Sequence, residues 1–189
     1  MAKHVCPVWV AYLLANPLRK LIQNPKKMLG PFVKEGMIVL DVGCAMGFFS
    51  LPLAEMVGKG GRVICVDIQK KMLNSLRKRA DKAGLSDRIE THLADQDSIG
   101  LTDLKERIDF ALAFAVVHEV RNAGMFFSEI YNVIKPGGSF LVAEPRLHVS
   151  ETDVENSVFL AEQQGFSVLR RFHNLFDWGV LLENREGIR

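Results

Sequence analysis

Val39-Leu40-Asp41-Val42-Gly43-Cys44-Ala45-Met46-Gly47-Phe48-Phe49 decides the reading of this 189-residue chain. Met37 to Val42 reads as a buried strand with an acid near its end. A turn follows with a glycine at each end, and after it a helix rich in apolar residues. So tight a turn calls for Gly43 and Gly47, and the helix start leaves backbone N–H groups unpaired, which makes a shelf for a polar ligand. Twenty residues after Gly47, Asp67 closes a second apolar strand, Arg62-Val63-Ile64-Cys65-Val66-Asp67. An acid there is placed to accept hydrogen bonds from ribose hydroxyls. The pair indicates a nucleoside-bearing ligand.

The spacing narrows which nucleoside. The dinucleotide fingerprint is Gly-x-Gly-x-x-Gly, whose second glycine admits a pyrophosphate; this turn is Gly43-x-Ala45-x-Gly47. Asp41 beside the shelf would repel a pyrophosphate and suits a ligand with ammonium and sulfonium charges. The segment resembles motif I of the class I S-adenosylmethionine (SAM) dependent methyltransferases, usually Asp-x-Gly-x-Gly-x-Gly. Ala45 replaces the middle glycine and puts a methyl group near the ligand.

Outward from this segment, strands and helices alternate. A helix is expected over about Phe48 to Val57, with Pro52 tolerable near its first turn and Gly58, Gly60 and Gly61 ending it. Lys70 to Ala83 carries Met72, Leu73, Leu76, Ala80 and Ala83 on one face and basic residues on a solvated one, with Gly84 as its stop. Arg88 to Ala94 is a third strand, and Ile108 to Val117, almost wholly apolar, a fourth. Asn122 caps a helix that buries Phe126, Phe127, Ile130, Val133 and Ile134. Lys135-Pro136-Gly137-Gly138 breaks it before a fifth strand, Ser139 to Glu144. Ser150 and Asp153 resemble a capping box for a helix reaching Gln164. Two last strands, Ser167 to His173 and Trp178 to Leu182, are joined by a loop too short for a helical crossover and form an antiparallel hairpin.

The fold class is therefore α/β: a doubly wound seven-stranded sheet, mostly parallel with a C-terminal antiparallel hairpin, and helices on both faces. Such a hairpin, and Lys-Pro-Gly-Gly before the fifth strand, are similar to the methyltransferase fold and not the NAD-binding one. The resemblance covers roughly residues 30 to 183. The organisation expected is an N-terminal helical lid segment, 1–34, and a SAM-binding domain, 35–189.

Ligands of open α/β sheets bind outside the carboxyl ends of the strands. The strand ends to examine are Asp41 to Gly47 with Phe48, Asp67-Ile68, Ala94-Asp95-Gln96, and Phe114-Ala115 running on to His118 and Glu119. The resemblance implies that the turn, with Gly43, Cys44, Ala45 and Gly47, and Asp41 hold the methionine moiety, with Asp67 on the ribose. It implies Ile68 and Met72 on the adenine, Asp95 on its exocyclic amine, and Ala115 near the sulfonium. Asp95 and Gln96 read equally as loop-capping polar residues. SAM is the implied cofactor and S-adenosylhomocysteine (SAH) its product.

Methyl transfer from a sulfonium is an in-line displacement, so alignment and exclusion of water supply much of the rate, and a base is needed only for a protonated nucleophile. His118 is the best candidate, followed by Glu119, with Glu144 and His148 from neighbouring strand ends. A structural hydrogen bond to a loop is the alternative role for His118. Phe48, Phe49, Phe114, Trp9 and Tyr12 suggest a small, partly hydrophobic acceptor. A non-catalytic SAM-binding module, a methyltransferase of macromolecules and a nicotinamide oxidoreductase are the rival readings. The Asn/Asp-Pro-Pro-Tyr sequence of nucleic-acid amino-methyltransferases is replaced by Ala113-Phe114-Ala115-Val116.

Composition bounds the rest. Hydrophobic residues make up 48% and charged ones 24%, which fits one domain with an ample core, and a net charge of +2 gives no strong nucleic-acid signal. Cys6, Cys44 and Cys65 are odd in number and scattered, so neither a disulfide framework nor a metal site is expected; His4 and Cys6 are coincidental neighbours. No transmembrane run or signal pattern is evident, and a cytoplasmic protein is expected. The oligomeric state is not legible. Met1 to Lys34 contains no acid and six basic residues, and Val8 to Leu14 is too apolar to stand in water. That segment reads as a lid over the acceptor, or as a helix that docks on an anionic membrane.

Overall fold

The computed structural model describes residues 23–173 and 176–185. Val8 to Leu14, with Trp9 and Tyr12, and the His4/Cys6 pair lie outside the described residues. Seven strands follow the order β3-β2-β1-β4-β5-β7-β6, numbered along the chain as below. The chain divides into two compact units, one ending at Ala94 and the other beginning at Asp95.

In the first unit, β1 (Ile38–Val42), β2 (Arg62–Asp67) and β3 (Ile89–Leu93) are parallel, with Leu40 opposite Ile64 and Cys65 opposite Thr91. β1 and β2 are buried along nearly their whole length, as parallel strands covered on both faces are. A short α1 (Pro25–Leu29) precedes them; Asn24 caps it by accepting from the Lys27 N–H, Pro25 is its first residue, and Leu29 is fully buried. α2 (Ser50–Met56) starts two residues later than the sequence suggests, which puts Pro52 third in the helix, where its missing N–H costs nothing. α3 (Lys70–Ala83) has the expected limits and ends on Gly84 in the left-handed conformation, φ 68°. Met72, Leu73, Leu76 and Ala80 are buried, whereas Ala83 is exposed: the apolar stripe stops a turn before the helix does.

In the second unit, β4 (Ile108–Phe114) is parallel to β5 (Ile134–Pro145), β7 (Asp177–Asn184) is antiparallel to β5, and β6 (Phe166–His173) is antiparallel to β7. The C-terminal hairpin is thus as expected, with β7 inside and β6 at the edge. α4 (Ala123–Val133) is capped by Asn122, and α5 (Glu151–Gln163) carries the Ser150/Asp153 capping box. Phe127 of α4, Phe140 of β5 and Phe166 of β6 stack into the core, with centroids 6.1 and 5.8 Å apart.

Two strand limits differ from expectation. β4 ends at Phe114 and not at Val117. The Ala115 N–H still donates to the Ala143 carbonyl at 2.7 Å, but Ala115 lies at φ 57° and turns the chain, and Val117–Glu119 form a single 3₁₀ turn. β5 begins at Ile134, paired with Ile108, so Lys135 to Gly138 lie within the strand; Gly137 at φ 76° and a register shift between Ile108 and Phe110 absorb them.

Candidate active site

The glycine turn and Asp67 form one cluster. Gly43 and Gly47 both have positive φ, 67° and 82°. A Cβ on Gly47 would stand 2.3 Å from Leu76 Cδ1 of α3, so space as well as angle requires glycine. Ala45 lies at φ 46°, a conformation that costs a residue with a Cβ about 1–2 kcal/mol.

Four amides of the turn are paired within the fold, where an open shelf was expected. Gly43 and Cys44 donate to the Val66 carbonyl at 2.8 and 3.0 Å, and Gly47 donates to the Cys44 carbonyl at 2.9 Å. The Ala45 N–H donates to Asp67 Oδ2 at 2.9 Å. Because α2 starts only at Ser50, the turn closes on the end of β2 and satisfies its donors there. Arg79 Nη1 of α3 donates to the Met46 carbonyl at 2.5 Å, so this member of the basic face reaches back to brace the turn.

Asp67 also accepts from the Gln69 N–H at 2.7 Å through Oδ1. Burial raises its carboxyl above the usual range against those two bonds. Asp41 is only 2% exposed and accepts from Ser50 Oγ at 2.5 Å. Burial pushes its carboxyl up to about 7; the Ser50 bond opposes this and the Asp67 charge adds to it. Two buried acids, one of which the other's charge raises further, invite a positive charge and repel a phosphate. Next to Asp67, Ile68 is 38% exposed and offers an apolar face. Met72, by contrast, is 1% exposed and packs on Met46 and Ala45. Phe48 and Phe49 are buried edge to face, and burial pushes the Cys44 thiol well above 9, away from nucleophilic use.

Ala94, the last residue of the first unit, is buried, while Asp95 and Gln96, which open the second, are exposed. The Asp95 N–H donates to the Ser98 carbonyl at 3.0 Å. Glu129 of α4 fixes this loop by accepting from Ser98 Oγ at 2.6 Å and the Ile99 N–H at 2.7 Å. Phe114 is buried at the end of β4.

The left-handed Ala115 aims the next two amides at one acceptor. Glu144, 3% exposed near the end of β5, takes the Val116 N–H at 3.2 Å and the Val117 N–H at 2.7 Å on Oε1. Its Oε2 pairs with Nδ1 of His118. Glu119 Oε1 stands 4.0 Å from His118 Nε2, an ion-pair rather than a hydrogen-bond distance. The His148 ring stacks on His118 at 6.4 Å. Four of the five catalytic and acceptor-side residues named from the second unit's sequence thus form one cluster. Ser50, Arg79 and Glu129 were not anticipated; each acts on a partner at least nine residues away, which no local pattern marks. Among the described residues no group of three or more His, Cys, Asp or Glu is arranged to hold a metal ion.

Residues 33–175 match the family described as Methyltransferase domain. The ubiquinone biosynthesis O-methyltransferase of Bradyrhizobium diazoefficiens is 30% identical over 139 residues, 72% of this chain and 50% of that protein. The ubiquinone/menaquinone biosynthesis C-methyltransferase of Hydrogenovibrio crunogenus is 29% identical over 112 residues, 59% of this chain and 43% of that one. The chain thus spans half or less of the length of these relatives. A solved structure of a SAM dependent methyltransferase from Aquifex aeolicus superposes with a TM-score of 0.85 at 26% identity, covering 95% of this chain and 100% of that chain. The chain belongs to the methyltransferase domain family, within the class I SAM-dependent methyltransferases.

Proposed function

We propose that this protein transfers a methyl group from SAM to a small, partly hydrophobic acceptor. The observation that carries the reading is the buried acid pair, Asp41 and Asp67, packed against a glycine turn with exposed Ile68 beside it. Adenosine needs an apolar face and a hydroxyl acceptor, and the methionine end brings positive charge; these residues fit all three. When bound, SAM supplies an electrophilic methyl group on a good leaving group. The chain's residues then have binding and orienting roles. Asp67 accepts from the ribose, Ile68 covers the adenine, Asp95 accepts from its amine, and Asp41 pairs with the methionine ammonium. In the second unit His118 is the base, with Glu119 beside it.

The two ubiquinone-pathway relatives are named for methylation of small molecules, which supports a small acceptor here. Residues 1–34 complete the proposal as a lid that walls the acceptor with Trp9 and Tyr12. Among the described residues no helix is long and apolar enough to cross a membrane. Incubation of the full chain with methyl-labelled SAM and a metabolite extract should give labelled small products. Label in RNA or protein would point to a macromolecular acceptor, and SAM binding without any turnover to an interaction module.

A further inference from the structure

We propose that Glu144 is a positioning residue that locks His118 in one tautomer, with the proton on Nδ1 and the lone pair on Nε2, and so prepares it as the base for an acceptor that must lose a proton. The inference rests on geometry alone for its tautomer and on the methyl-transfer reading for its kinetic consequence.

Glu144 Oε1 is committed to two backbone donors, Val116 N–H and Val117 N–H. Those donors exist as a pair because Ala115 takes a positive φ, which aims consecutive amides at one point. The carboxylate is therefore fixed from behind, and its other oxygen faces His118 Nδ1. A carboxylate can only accept; Glu144 is within hydrogen-bond reach of Nδ1 whereas Glu119 stands 4.0 Å from Nε2, so the neutral imidazole carries its proton on Nδ1 and its lone pair on Nε2. His118 is 26% exposed, so the ring is held from the buried side and reachable from the other. This is how a histidine is prepared as a base, oriented through one nitrogen and basic at the other.

A base has work to do only when the acceptor's proton must leave. A phenol or an ammonium group with pKa about 10 is almost wholly protonated at neutral pH, whereas a thiol near 8.5 supplies some anion unaided. In the step proposed, the acceptor's nucleophilic atom forms a bond to the methyl carbon while the carbon–sulfur bond breaks and its electron pair stays on sulfur. The acceptor's proton passes to Nε2 of His118. The positive charge that was on sulfur thus ends on the imidazolium, beside the Glu144 carboxylate, and the proton is then lost to water. General-base catalysis of this sort contributes about 10²–10⁴-fold.

Glu144→Gln tests this sharply. The amide oxygen is held at the place of Oε1 by the two backbone donors, so the NH₂ must face Nδ1 and donate to it. The imidazole proton is then forced onto Nε2, and the base is lost without loss of shape. Nitrogen-15 NMR of the labelled full chain at alkaline pH, with His118→Gln used to assign the signals, reads the tautomer without any substrate. The expected result is Nδ1–H in the native protein and Nε2–H in Glu144→Gln. Nε2–H in the native protein, or an unchanged tautomer in the variant, overturns the positioning role. A kcat at least 100-fold lower with KM for SAM unchanged in Glu144→Gln is the expected kinetic result. An unchanged kcat in Glu144→Gln overturns the role of His118 as a base set by Glu144. SAM binding, measured alongside by calorimetry, separates the two failures: its absence would sink the methyl-transfer reading and leave the tautomer result standing.

Discussion

Two buried carboxyl sites in this molecule meet the same problem with opposite means. Glu144 is surrounded by donors: two backbone amides and an imidazole satisfy it within the protein. Asp41 accepts from the Ser50 hydroxyl while burial, with the charge of a second acid, Asp67, pushes its carboxyl up to about 7. A carboxylate that the fold has already compensated serves to hold something, here a histidine ring. One that the fold leaves under-compensated favours a ligand that brings positive charge.

The contrast is broken most forcefully at Glu144. Glu144→Ala leaves two amides and an imidazole without their buried acceptor and should cost about 3–5 kcal/mol of stability in denaturant unfolding. Asp41→Asn should act in the other direction at neutral and alkaline pH. The Asp41 carboxyl, ordinarily near 3.8, is raised to about 7 in the fold, so between those values the folded chain holds a proton that the unfolded chain has released. Its stabilising contribution is present at low pH and is lost as pH rises from about 4 to about 7. Asp67, also raised, adds a slope of the same sign. Stability of the ligand-free protein should therefore fall over that range, by on the order of 3 kcal/mol from Asp41, and Asp41→Asn should remove that share. A flat pH profile in the native protein would show that Asp41 is compensated after all.

The sequence made this contrast only half legible. Arg62–Asp67 and Lys70–Ala83 were readable to the residue, because a β-branched run ending in an acid and an amphipathic stripe ending in glycine are both local signals. The end of β4 was not, because the apolar run continues to Val117 while the chain turns at Ala115, and alanine carries no turn signal. That hidden turn builds the Glu144 site, so Glu144 read as a spare base when it is the group that holds His118. The glycine turn was placed correctly and its hydrogen bonding was not: a pattern of glycines shows that amides are concentrated, and only the fold shows that Val66, Cys44 and Asp67 take them up. Ser50 and Arg79 depend on contacts 9 and 33 residues away, beyond any helical or strand period.

Smaller effects sharpen the same contrast. Asp67→Ala should weaken SAM binding by about 1–3 kcal/mol in calorimetry, by removing a ribose acceptor and by releasing the Ala45 and Gln69 amides that it clasps. Ala45→Gly should change stability by less than about 1 kcal/mol, since relief of the positive φ is offset by the greater freedom of glycine in the unfolded chain. A loss well beyond that would mean that the alanine methyl is needed against Met46 and Met72.

Titration calorimetry of the full chain with SAM and, separately, with NAD at pH 7, each in two buffers of different ionisation enthalpy, tests the central claim most directly. The acid pair predicts that SAM binds and expels a fraction of a proton, about half of one for a carboxyl with pKa near 7, while NAD gives no binding heat. Tight binding of NAD without binding of SAM would contradict it.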